Sequence, residues 1–265
     1  MKTDDRTIIA RLARESRAGV IDLSSAANAL QMPSRTASIR MSRLLRKGWL
    51  QRARRGLFFV LPLEVEPGRT AVPGDSWIVA SSAFRPCYIG GWSAAEYWGL
   101  TEQIFRSTLV VTAAPVRSRL RNLLGQQFRL FKVPAPRISV KTSVWRGAER
   151  VLVSSRERTI IDSLRNPEIC GGVRPLVSVI REYVNSKDFS SSELLREASE
   201  ARSGAVWKRL GLLFEKLWPN NADLILVARA NATLGNIKLD PAVKARGKLS
   251  KRWGIWINID LTNDD

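Results

Sequence analysis

Apolar residues recur at helical spacing from early in the chain. Ile8, Ile9, Leu12 and Ala13 form one stripe with Arg6, Arg11 and Arg14 outside it, which predicts a helix over residues 3–16. A second short helix is expected over 23–30 with Ser24 as its N-cap, followed by a turn at Gln31-Met32-Pro33. Ser34 is placed to cap a third helix over 34–47, which Gly48 would stop. On a wheel counted from Arg35, residues Ala37, Met41, Leu44 and Leu45 fall within about 180–280°, one apolar stripe able to pack on the first two helices. Arg35, Ser42 and Arg46 gather on the opposite side, flanked by Ser38 and Arg43. Two short strands are expected next, at 49–52 and 57–61, joined by a tight turn at Arg54-Arg55-Gly56.

Residues 64–74 (EVEPGRTAVPG) lack apolar periodicity and read as a linker. Beyond them helices and strands mix. A helix is expected over 77–84 and an extended segment over 86–89. Ser93 with Glu96, Ser154 with Glu157 and Ser190 with Glu193 have the spacing of capping boxes at helix starts. Strands are expected at 108–113, 127–133, 138–145, 149–153, 224–228 and 253–260, and helices at 173–185, 191–202 and 205–217. The pattern amounts to a mixed α/β (α+β) protein. It comprises a winged helix-turn-helix over 1–63, a linker over 64–74 and a larger mixed α/β domain over 75–265.

Charge changes the picture of partners. Of 265 residues 43 are Lys or Arg and 24 are Asp or Glu, which leaves a net charge of +19 with no His. Such a surplus attracts polyanions and releases their counterions, so nucleic acid ranks first among partners. The opening residues lack the apolar core of a signal peptide, and no stretch approaches the ~18 apolar residues of a membrane span, so no membrane partner is expected and the cytoplasm is the expected compartment. Cys87 and Cys170 stand far apart without a C-x-x-C partner, as reduced thiols do.

Between residues 17 and 63 there are nine Lys or Arg against one acid, Asp22. The polar face of the third helix, with Arg35, Thr36, Ser38, Ile39, Ser42, Arg43 and Arg46, is suited to duplex DNA. Arg can donate two hydrogen bonds to guanine, and hydroxyls can reach bases or phosphates. Ile39 on that face either meets a thymine methyl or packs on the hairpin or the linker. Arg52, Arg54 and Arg55 at the hairpin suit phosphate or the minor groove. A second run, Lys244, Arg246, Lys248, Lys251 and Arg252, reads either as a further phosphate-contacting surface or as a solvated loop.

Enzyme signatures fare worse. Without His there is neither a Ser-His-Asp triad nor a His-containing metal site. Neither G-x-x-x-x-G-K-[ST] nor G-x-G-x-x-G occurs, and no acid stands two residues before a lysine. Glu157 and Asp162 share one expected helix but lie five residues apart, and a structural role is favoured for both. Trp77, Trp92, Tyr97 and Trp98 are assigned to core packing ahead of base stacking. No catalytic residue, metal site or cofactor is expected.

Several short motifs, in order, resemble the AbiEi antitoxin family of type IV toxin-antitoxin, abortive-infection systems. They are Tyr88 to Ala95 (YIGGWSAA), Gly99-Leu100-Thr101, Val153 to Asp162 (VSSRERTIID), Gly171-Gly172, Lys208 to Gly211 (KRLG), Lys238 to Pro241 (KLDP), and the last strand with Trp253 and Asn258. The chain departs from the family's usual pattern at Trp98, where a His is frequent, and at Ser155-Arg156, where Asp-Pro is frequent. The resemblance implies an N-terminal winged helix that represses its own operon by binding inverted repeats. It also implies a C-terminal domain that counters a nucleotidyltransferase-like toxin without forming a stable complex. Two other functions stay open on the residues alone. One is an orphan regulator whose C-terminal domain senses a ligand or protein; the other is a metal-dependent nucleic-acid-processing enzyme using Glu157, Asp162 or Asp240.

Overall fold

The structure is a computed structural model and describes residues 4–261, so position 3 of the expected first helix lies outside the described residues. The protein is mixed α/β, and the chain divides into two compact units. One takes residues through Ile89 together with Arg106–Val153; the other takes Gly90–Phe105 and the chain from Ser154 onward.

The first unit begins with α1 (Asp5–Glu15), β1 (Val20–Asp22), α2 (Leu23–Leu30), α3 (Ser34–Arg46), β2 (Leu50–Arg54) and β3 (Leu57–Val60). The strands form an antiparallel sheet in the order β1-β3-β2, with Val20 opposite Phe59 and Leu50 opposite Val60. Ile9, Leu12, Ile21, Met41 and Leu44 meet Leu50, Phe58 and Val60 in one core. Truncating any of these large residues to Ala should remove about 2–5 kcal/mol.

Local chemistry sets the helix ends differently from two of the expectations. β1 runs straight into α2, so the capping position falls on Asp22 and not on Ser24. The Asp22 carboxylate accepts from Ser25 N at 2.8 Å and from Ser24 Oγ at 2.6 Å. Burial pushes its pKa up, but these hydrogen bonds outweigh burial and hold the group below its ordinary value. Ser34 is the first residue of α3, because Pro33, with extended backbone, occupies the capping position and offers no side-chain acceptor. The far end of α3 closes as expected at Gly48, whose φ is +77°. Gly48 N donates to Leu45 O and Trp49 N to Leu44 O, the paired bonds of a Schellman turn. A Cβ at Gly48 would also lie 2.2 Å from Gly68 N, so glycine is required twice over.

That approach explains why the chain does not divide at 64–74. The segment is irregular but fastened along the first unit. Gly68 N donates to Gly48 O at 2.9 Å, Gln51 Nε2 to Arg69 O at 3.1 Å, and Gln126 Nε2 to Pro73 O at 2.7 Å. α4 (Ser76–Ala83) follows, capped by Asp75, and then β4 (Cys87–Ile89). After α5 (Gly91–Tyr97), which belongs to the second unit, the first resumes with β5 (Ser107–Thr112), β6 (Leu120–Leu123) and β7 (Gln126–Lys132). Their sheet has the order β4-β5-β7-β6, with β5 and β7 parallel and the outer pairs antiparallel. A hairpin of β8 (Ser143–Arg146) and β9 (Glu149–Leu152) ends the unit. The strand expected at 138–145 is shorter because a 3-10 turn at Ala135–Arg137 and irregular backbone precede Ser143. No alternation in the sequence predicts β6 (LRNL), whose residues are exposed or half-buried.

The second unit is largely helical: α5, α6 (Arg156–Arg165), α7 (Val173–Asn185), α8 (Ser191–Ala201), α9 (Gly204–Leu217) and α10 (Ala222–Ala230). A small sheet of β10 (Ile237–Lys238), β11 (Lys248–Ser250) and β12 (Ile255–Ile257) has the order β10-β12-β11. The strand expected at 224–228 is helix α10. Leu224, Ile225 and Ala228 are buried at helical spacing while Leu226 and Val227 stay exposed, and a short apolar run alone does not distinguish these periods. Of the three serines expected to cap helices, Ser190 does so, its Oγ accepting from Glu193 N at 3.2 Å. α6 is capped by Ser155, and Ser93 lies buried inside α5 after Gly90. No described helix is long and apolar enough to cross a membrane.

Candidate nucleic-acid interface

Helical geometry divides α3 into two faces. Ala37, Met41 and Leu44 are buried; Arg35, Thr36, Ser38, Ile39, Arg43 and Arg46 are exposed, and Ser42 is half-buried between them. Arg43 and Arg46 occupy the last turn, where the helix dipole favours cations. Ile39 keeps 53% of its surface exposed.

The basic residues of this region do not all present themselves to solvent alike. Asp5 on α1 pairs with Lys47 and lies 3.9 Å from Arg40. Arg17 pairs with Glu149 at 3.5 Å. Among the described residues, none of Arg35, Arg43, Arg46, Arg54 and Arg55 is engaged in an ion pair. The partners of Arg40 and Arg17 are distant in sequence, so no local signal separates committed from uncommitted cations.

The hairpin carries the next three. β2 and β3 extend to a two-residue turn at Arg55-Gly56, where Gly56 has φ +74°. A bulge between Arg52 and Arg54 shifts the register, and Arg52, Arg54 and Arg55 are all exposed. The Arg52 guanidinium sits 6.0 Å from the Phe58 ring centroid. Gly56 O accepts from Leu23 N at 3.0 Å, tying the turn to the start of α2. The first unit therefore presents guanidinium groups on one helix face and at one strand turn, with hydroxyls between. This chemistry can hydrogen-bond guanine edges and neutralise phosphates.

The later basic run lies around the β11–β12 hairpin of the second unit, and Lys244, Arg246, Lys248, Lys251 and Arg252 are all exposed. Two of the five are partly committed. Arg246 stacks 4.0 Å from the Trp256 ring centroid, and Arg252 pairs with Glu215 at 3.3 Å. No ion pair engages Lys244, Lys248 or Lys251 among the described residues.

The three carboxylates weighed for catalysis, Glu157, Asp162 and Asp240, accept hydrogen bonds from protein groups of the second unit. Glu157 accepts from Tyr183 Oη at 2.7 Å, and burial and this bond to a carboxylate both push the Tyr183 pKa up. Asp162 accepts two bonds from Arg158 Nε at 3.0 Å each. Asp240 caps α7 by accepting from Val173 N at 3.0 Å and also accepts from Ala242 N at 2.9 Å. Asn258 bonds both N and O of Asp240. Arg209 is buried and donates to the carbonyls of Leu164, Arg165, Lys238 and Leu239. Burial lowers its pKa to about 10, with Asp240 opposing that shift. A Cβ at Gly211 would lie 2.1 Å from the Trp253 ring, which packs against α9 there. Among the described residues no group of three or more Cys, Asp or Glu is placed to hold a metal ion. Cys87 and Cys170 are buried thiols whose pKa burial pushes up to about 12.

No family model matches the chain, and no curated protein matches it either. Its fold is similar to that in the crystal structure of the RV2827C protein from Mycobacterium tuberculosis, with a TM-score of 0.58. The match covers 94% of this chain and 89% of that one at 16% identity. At that identity the likeness is one of fold alone.

Proposed function

We propose that the protein is a DNA-binding autorepressor and antitoxin of a type IV toxin-antitoxin system. Residues 5–60 act as a winged helix, with α3 entering the major groove and the β2–β3 turn lying on the backbone or in the minor groove. The observation that carries this reading is the exposed face of Arg35, Arg43 and Arg46, none of them ion-paired among the described residues, in the same unit as the turn bearing Arg54 and Arg55. A face serving only solubility would be expected to mix both signs of charge. This one carries only cations, hydroxyls and Ile39.

The antitoxin half rests on the ordered motifs that resemble the AbiEi family. Inverted repeats in the chain's own promoter are the proposed site, and a nucleotidyltransferase-like toxin, countered without a stable complex, is the proposed adversary.

The test of DNA reading is equilibrium binding to the region upstream of the gene, measured beside an unrelated duplex of equal length. The wild-type chain should favour the upstream repeats, with affinity falling steeply as salt rises. The variant Arg35→Ala/Arg43→Ala/Arg46→Ala should fold normally and lose that preference; preference retained in the folded variant would sink the assignment of α3. Growth tests the antitoxin half. Where the adjacent gene's product arrests growth when expressed alone, co-expression of this chain should relieve the arrest, and arrest that persists would count against this half of the reading.

A further inference from the structure

The β8–β9 hairpin of the first unit carries a feature that DNA reading does not use. In its register Ser143 lies opposite Leu152, Val144 opposite Val151, Trp145 opposite Arg150 and Arg146 opposite Glu149. Side chains alternate between the two faces of a strand, and directly opposed residues share a face. One face therefore carries the buried Val144 and Val151 with Arg146 and Glu149, and it turns inward, where Arg146 Nε donates to Asp75 at 2.7 Å. The other face carries Ser143, Trp145, Arg150 and Leu152. There Trp145 keeps 68% of its surface exposed and is the one exposed tryptophan of the nine, all of which lie among the described residues. The Arg150 guanidinium sits 5.7 Å from the Trp145 ring centroid and is held by donating from Nη2 to Ser143 Oγ at 2.6 Å. Lys141, two residues before Ser143, is exposed as well. The one acid of the hairpin, Glu149, belongs to the inward face and pairs with Arg17 at 3.5 Å.

We propose that this outward face binds a single strand of nucleic acid, with one base stacked on Trp145 and the adjoining phosphate on Arg150. The chemistry of the face selects that occupant. Stacking uses the aromatic surface that Arg150 leaves open, and it accepts any base because every base has a π-face. The guanidinium keeps N–H donors beyond the one that Ser143 takes, and phosphate oxygens suit them. A duplex would bring phosphates but no free base face, since its bases cover one another, and Trp145 would gain nothing. An apolar protein surface would cover Trp145 and Leu152 but desolvate Arg150 with Ser143 as its only acceptor. The face also lies apart from the turn at Arg55-Gly56. Arg17, which pairs with Glu149, bridges to Val20 at one end of β1, opposite Phe59, whereas Asp22 at the other end lies opposite Leu57, beside that turn. The inference therefore does not rest on the reading of duplex DNA.

The experiment is equilibrium binding of the full chain to an oligothymidylate of about eight nucleotides, a length within the range that such sites cover, beside the upstream duplex. Trp145 and Arg150 are exposed, so their variants should melt like the wild type. Trp145→Leu, which keeps an apolar side chain but removes the ring, should weaken the strand by about fivefold or more, the lower end of what one stacked base contributes. Trp145→Phe should recover most of that loss. The strand should quench tryptophan emission in the wild type, and the quench should largely vanish in Trp145→Phe although that variant binds. Arg150→Ala should lower the slope of log affinity against log salt by about 0.7, the share of one phosphate on a single strand, while Trp145→Leu leaves the slope unchanged. All three variants should keep the preference for the upstream repeats, so this inference and the assignment of α3 fail separately. The proposal is overturned if Trp145→Leu binds the strand as tightly as the wild type, if it weakens strand and duplex alike, if Trp145→Phe binds no better than Trp145→Leu, or if Arg150→Ala leaves the salt slope unchanged.

Discussion

Single residues show how differently the same residue type is employed. Arg209 is surrounded by carbonyl groups and serves as an internal tie, whereas Arg35 and Arg43 stand in solvent without ion pairs among the described residues. Replacing Arg209 by Ala would leave several buried carbonyls without donors, so a loss of roughly 3–5 kcal/mol is expected in denaturant unfolding. The surface arginines should each cost well under about 1 kcal/mol in the same measurement. Asp22 offers a test with a sign. A carboxyl held below its ordinary value stabilises the fold above the ordinary aspartate range and loses that contribution as pH falls through the folded-state value. Asp22→Ala should therefore cost about 1 kcal/mol near neutrality, as lost caps do. The gap from wild type should close as melts are repeated at progressively more acid pH; a gap that stayed constant would mean that the charge of Asp22 plays no part.

At the scale of elements, α3 and the β2–β3 hairpin were legible because each depends on local chemistry. The apolar stripe of α3, the glycine stop after it and the glycine in the turn act within a few residues of themselves. β6 and α10 were not legible. β6 is held by pairing with β7, in which Leu120 lies opposite Arg129, and its own sequence carries no strand period. α10 becomes a helix because α8 and α9 lie beside it. The hairpin has its own prediction. If Arg54 and Arg55 each neutralise one phosphate, Arg54→Ala/Arg55→Ala should lower the slope of log affinity against log salt by about 2. The preference for the upstream repeats should change far less than in the α3 variant. An unchanged slope would remove the turn from the interface.

For the whole molecule, the net charge of +19 acts in addition to any specific contact. The variant altered at Arg35, Arg43 and Arg46 should still bind unrelated duplex in low salt, with a dissociation constant on the order of 10⁻⁴ to 10⁻⁶ M that weakens as salt rises. Loss of all binding at low salt would mean that three side chains carry the electrostatic attraction as well as the reading. The division into units had no counterpart in the sequence pattern. The stretch 64–74 has the composition of a linker, yet its backbone bonds to Gly48, Gln51 and Gln126 keep it within the first unit.

The sequence by itself determined the mixed α/β class, the three N-terminal helices with their hairpin, the basic face of α3 and the absence of histidine chemistry. Periodicity, turn residues and composition are local properties, readable without knowing the neighbours. Tertiary structure alone decided which cations are already paired, where the units divide, and that Glu157, Asp162 and Asp240 bind protein donors. Those outcomes depend on groups far apart in the chain, which meet only when burial of the apolar core brings their elements together.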